Sequence, residues 1–218
     1  MACSSSKKSE SYDLVYDTIP DNGILPYSPF LSWPVAMVHH DVYNLGPIFE
    51  DDGSVNGSKN HWVVILECPR ANGQVRISMD SKMNPRHEHI GTYIAKVSHY
   101  TGKGRDVIFR QTRTVTRTFT VGRFLNKALV SGWHSYKMAC DAKGAFKGCQ
   151  HHLRTVTEGL IGLGWVDARS DAGLTMDEYL NYNYFINDEY DVDDPQYLNR
   201  RFNRSVEDGN SPNARRSQ

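Results

Sequence analysis

Asn60-His61-Trp62-Val63-Val64-Ile65-Leu66-Glu67 is followed, across Pro69 and the Asn72-Gly73 pair, by Gln74-Val75-Arg76-Ile77-Ser78-Met79-Asp80. The first run is dense in β-branched residues. The second alternates Val75, Ile77 and Met79 with Arg76, Ser78 and Asp80, so together they predict a β-hairpin. Register depends on the turn. A two-residue turn at Asn72-Gly73 pairs Ala71 with Gln74 and sets His61 opposite Asn84, whereas a longer turn offers Asp80 or Ser78 instead. His61 reads as a strand-end residue beside a loop, a suitable place for a general base.

Downstream, Lys147-Gly148-Cys149-Gln150-His151-His152 opens a second informative segment. From Cys149, the apolar residues Leu153, Val156 and Leu160 recur at the spacing of one helical face. Cys149 is therefore expected in the first turn of a helix, pointing inward. Free N–H groups and the positive end of the helix dipole favour a thiolate there, and a depressed pKa makes a cysteine nucleophilic. The alternative is a small buried hydrophobe, the commonest role of a free cysteine.

Around these segments the chain reads as one domain, residues 12–200, between a polar disordered leader at 1–11 and a disordered tail at 201–218. Further strands are expected at Val35–Tyr43, Thr92–His99 and 107–121, where Thr112, Thr114, Thr116, Thr118 and Thr120 alternate with Arg113, Val115, Arg117, Phe119 and Val121. Gly122–Val130 is expected as a helix, and Ser81–His89 as a polar turn. The fold class is α+β, an antiparallel sheet with the cysteine-bearing helix packed on it.

With 218 residues, 39% hydrophobic and 23% charged, the composition is that of a soluble globular protein. No apolar run approaches the roughly 18 residues of a membrane span. Met1 to Lys8 lacks the apolar core of a signal peptide, so a cytoplasmic location with free thiols is expected. Cys140, Cys149, His151 and His152 lie close in sequence without zinc-finger spacing, and no glycine-rich nucleotide loop appears. Neither a metal nor another cofactor is expected.

The formal net charge of zero conceals two blocks. Residues 101–154 hold 11 Lys or Arg against 2 Asp, and 167–199 hold 9 acids against Arg169 alone. Arg110, Arg113, Arg117 and Arg123, among Phe109, Phe119 and Phe124, are candidates for tracking phosphates. Asp177, Glu178, Asp188 and Glu189, among tyrosines, suit a guanidinium or ammonium ligand. Paired, solvated surfaces are the plainer explanation of both blocks.

The order of His61-Trp62 on an early strand and Gly148-Cys149-Gln150-His151-His152 heading a late helix resembles the circularly permuted papain-like superfamily, which includes the lecithin-retinol acyltransferase and PPPDE types. The likeness spans about residues 35–165. It implies that His61 deprotonates Cys149, that Asn84 orients the imidazole, and that Cys149 attacks a carbonyl to form a thioester. The N–H of Cys149, with Gln150, is then the oxyanion donor. The chain also looks like a member of a fungal family of small proteins, and the activity attached to it is that of arginine-containing cyclodipeptide synthases. That activity implies aminoacyl-tRNA on the basic block and arginine on the acidic one. The competing readings are a thiol peptidase or amidase acting on a peptide, and a binding module without catalysis.

Overall fold

The computed structural model describes residues 13–16, 28–49, 55–84, 87–98, 102–104, 106–140, 146–180, 182–186, 198–202 and 209–210. In chain order these form β1 (Asp13–Tyr16), β2 (Pro34–Phe49), β3 (Val55–Cys68), β4 (Gly73–Asn84), β5 (His87–Ser98) and β6 (Val107–Thr120). There follow α1 (Val121–Val130), β7 (Lys137–Cys140), β8 (Phe146–Lys147), α2 (Cys149–Gly162), α3 (Asp177–Leu180), β9 (Tyr182–Ile186), β10 (Leu198–Phe202) and β11 (Gly209–Asn210). The leader 1–11 lies outside the described residues. Within the expected disordered tail, Arg201-Phe202 close β10 against β9, and Gly209-Asn210 pair with β7, because backbone groups pair whatever the side chains.

The fold is α+β. Five long antiparallel strands lie in the order β5-β4-β3-β2-β6, with β1 and β7 paired to β5. Pro69–Ala71 make a single tight helical turn, and Asn72 takes a left-handed conformation at φ 48°, which brings Cys68 opposite Gly73 and Val63 opposite Ser78. This four-residue turn, 69–72, shifts the register away from the one that paired His61 with Asn84. Asn84 instead faces His87 across the next hairpin, and the segment expected as a polar turn is mostly strand.

Pleat alternation gives the sheet two faces. Val38 and Val42, Trp62, Val64 and Leu66, Val75, Ile77 and Met79, and Tyr93, Ala95 and Val97 form the inner core with Leu153, Val156 and Leu160 of α2. Gly159 permits the close approach of α2 to Trp133, whose ring a Cβ at this position would overlap. Val63 and Ile65 belong to the outer face, with Tyr43 and Val107. That second face also buries His39, Asp41, Gln74, Ser78 and Ser98, so it is a polar layer shielded from water.

Arg113 crosses to the inner side and is wholly buried. Its Nε and Nη2 donate to the Tyr179 hydroxyl at 3.2 and 2.9 Å, and Nη1 donates to the Asp167 carbonyl at 2.7 Å. The Thr157 hydroxyl donates to the Leu153 carbonyl at 2.7 Å, so its oxygen accepts from His40 Nε2 at 3.1 Å. His40 Nδ1 then accepts from the Tyr179 hydroxyl at 2.7 Å. The chain has one consistent direction and a neutral imidazole. Burial, then Arg113 and His39, hold the His40 pKa well below its ordinary value. Tyr179→Phe removes the shared partner and leaves buried donors unmet. We expect a loss of about 2–4 kcal/mol in urea unfolding with the slope unchanged.

Candidate active site

Beyond Val63, β3 and β4 no longer pair, whereas β2 continues along β3 with Val42 opposite Trp62 and Tyr43 opposite His61. In a strand, the C=O of Asn60 and the N–H of Trp62 point to the same side. The first turn of α2 meets this opened edge. The Cys149 Sγ donates to the Asn60 carbonyl at 3.8 Å. It also receives backbone N–H groups from Trp62, Gln150 and its own residue. Asn60 further holds the edge by mimicking a strand partner, with its side-chain amide bonding the Tyr184 carbonyl and N–H at 2.6 and 2.5 Å.

The polarity of this environment does not produce a ready thiolate. Burial pushes the Cys149 thiol above its ordinary value, and the N–H groups of Trp62, Gln150 and Cys149 only partly oppose it. The depressed pKa expected from the helix end is thus corrected, because desolvation outweighs the helix amides. Cys149 is half-buried and so is His151 on the same turn. Tyr136 is fully buried, and its hydroxyl is 2.6 Å from His151 Nδ1. Burial and then the charge of Cys149 raise the Tyr136 pKa.

His61 does not occupy the expected position. It lies seven residues into β3 rather than at a strand end, because the polar run from Val55 pairs with β2 as strand. Alternation assigns it to the outer face with Val63 and Ile65, whereas Trp62 belongs to the inner face with α2. None of the hydrogen bonds of Cys149 runs to it. The backbone N–H groups of Cys149 and Gln150 stay close to the sulfur, but the buried Gln150 carboxamide is committed to the Leu180 carbonyl at 2.5 Å.

The basic residues are also dispersed. Arg110 and Arg113 are three apart on one strand and therefore face opposite sides. Arg110 forms a two-pronged pair with Asp41, 2.6 Å at each prong, and Arg113 is interior. Arg117 and Arg123 are exposed, with Arg123 over the Trp165 ring at 5.4 Å. Four arginines thus do not make one phosphate surface. Asp177, whose side chain is 74% exposed, pairs with Arg154 at 2.7 Å. Glu178 accepts from the N–H and hydroxyl of Thr175, both at 2.7 Å, a capping arrangement at the start of α3 that lowers its pKa. Asp188 and Glu189 lie outside the described residues. Among the described residues no cluster of three metal-ligating side chains occurs, and no helix is long and apolar enough to cross a membrane.

Sequence reasoning missed Tyr136 and the Trp62 amide. The signals are thin: Tyr136 precedes the loop before Gly148-Cys149, and Trp62 stands beside His61.

Two outcomes test these electrostatics. Alkylation of Cys149 by iodoacetamide should keep accelerating with pH past the ordinary thiol range, yet outpace Cys68, whose buried thiol is pushed up to about 12. Peptide mapping across a pH series measures both. His152 is buried, its Nε2 is 3.1 Å from the Trp133 carbonyl, and burial lowers its pKa to about 4 from 6.5. The unfolded chain therefore binds the extra proton between these values, so stability is full above pH 6.5 and falls toward pH 4. We expect a loss of about 3 kcal/mol from this group, diminished in His152→Gln, in urea unfolding at stepped pH.

No curated protein and no solved structure matches the chain. A family model described as Domain of unknown function (DUF7770) matches residues 44–210, more than half of the sequence, and the chain accordingly belongs to the DUF7770 family.

Proposed function

We propose that the protein is a thiol-dependent acyl-transfer enzyme with Cys149 as its nucleophile. The observation that carries this reading is the sulfur held among the N–H groups of Trp62, Cys149 and Gln150 beside the Tyr136–His151 pair. In this mechanism His151 draws the thiol proton through the Tyr136 hydroxyl as substrate binds, which suits a sulfur that rests as a thiol. The thiolate attacks a carbonyl, and in this reading the same N–H groups serve the oxyanion. A thioester results, and water or an amine resolves it. The imidazole is supplied by His151, which follows Cys149 on the same helix, so the proposal departs from the histidine-before-cysteine order of the permuted papain-like scheme.

The acyl donor divides two versions. In the more specific one, an aminoacyl group arrives on tRNA and leaves in a cyclic dipeptide containing arginine. Exposed Arg117 and Arg123 support phosphate contact, and exposed Asp177 supports guanidinium recognition. A second version, a peptidase or amidase, is favoured by the internal use of Arg110 and Arg113, which removes half of the expected basic surface.

Cys149→Ala should abolish turnover while preserving the circular dichroism spectrum. His151→Gln and Tyr136→Phe should each slow it by about two to four orders of magnitude, whereas His61→Gln should leave the pH profile in place. Mass spectrometry of small products from cells expressing the chain, with and without RNase in a purified assay, separates the versions. An active Cys149→Ala protein would refute both.

A further inference from the structure

The outer face of the sheet carries a second arrangement of reactive groups, independent of Cys149. On β2, His39 lies opposite Thr112 of β6, and Asp41 lies opposite Arg110. The Thr112 hydroxyl is 2.8 Å from His39 Nδ1, and His39 Nε2 is 2.5 Å from Glu67 Oε2 on β3. Hydroxyl, imidazole and carboxylate thus follow one another in contact.

The direction of the proton is set by these partners. A carboxylate can only accept, so Nε2 carries the hydrogen and Nδ1 presents its lone pair to the Thr112 O–H. Burial, then Arg110, lowers the His39 pKa, while Glu67 and Asp41 act in the opposite sense. The imidazole is therefore neutral near pH 7 and able to take a proton, and both carboxylates are placed to stabilise the imidazolium once it forms. His40, the neighbouring titratable group, points to the inner face into its own chain of bonds. Thr112 and Glu67 are only partly buried, whereas His39 is buried.

We propose that Thr112, His39 and Glu67 form a hydroxyl-nucleophile centre acting on carboxylic esters. The Thr112 oxygen bonds to the ester carbonyl carbon as its proton passes to His39 Nδ1. The ester C–O bond breaks, and the leaving alkoxide takes that proton. Water, deprotonated by His39, then attacks the acyl-threonine and releases the carboxylic acid, returning a hydrogen to Thr112. Glu67 is a positioning residue that holds the tautomer.

Labelling of the full chain with an alkyl fluorophosphonate, followed by peptide mapping, tests the centre separately from the thiol. The expected adduct is on Thr112 of the wild-type protein, at a rate that declines as pH falls through the His39 pKa below 6.5. Thr112→Val should abolish it and Thr112→Ser should retain it. His39→Gln should slow it by about two orders of magnitude or more. Folded wild-type protein that gains no adduct at Thr112 at pH 8 would overturn the proposal. So would labelling of Thr112 with no pH dependence, a readout that stands even if His39→Gln does not fold.

Discussion

A buried guanidinium with no carboxylate partner among the described residues is the constraint around which the inner side of this protein is organised. Arg113 lies in the interior, and its charge is solvated by the Tyr179 hydroxyl and the Asp167 carbonyl. Meeting these partners draws the segment after α2, together with α3, back onto β6. Through His40 and Thr157 the same chain reaches β2 and α2. Four elements therefore share one set of hydrogen bonds, and each bond has a direction imposed by the next. Such a network is costly to leave incomplete, which favours a single arrangement of the helices over the sheet.

The position of Cys149 follows from how the sheet ends. Because β4 parts from β3 beyond Val63, the Asn60 carbonyl and Trp62 amide need other partners, and the start of α2 supplies a thiol that both donates and accepts. Helix amides and a strand amide thereby converge on one sulfur. Burial raises its pKa nevertheless, so reactivity depends on an adjacent acceptor, and the Tyr136–His151 pair is the arrangement at hand.

The outer face shows a different economy of groups. An antiparallel sheet commonly leaves one face to water, and a sequence of alternating charged residues invites that interpretation. Here His39, Asp41 and neighbouring polar residues are buried, and the charges answer one another across strands instead of facing solvent.

The sequence by itself determined the local structure: the His61 hairpin, the alternating strand containing Thr112 to Thr120, the helix expected over Gly122–Val130, and the apolar stripe Leu153, Val156 and Leu160. These depend on periodicity and turn chemistry, which act over a few residues. It also singled out Cys149 and its helix. The register of the hairpin was beyond it, since a turn of four residues instead of two moved Asn84 away from His61. Only the tertiary structure decided that Arg110 pairs with Asp41 while Arg113 enters the core, that Tyr136 meets His151, and that His39 joins Thr112 to Glu67. Those contacts join residues 15 to 73 positions apart, and strand pairing sets most of them. Whether a charge is solvated, paired or desolvated depends on which neighbours arrive from elsewhere in the chain, and no local pattern carries that information.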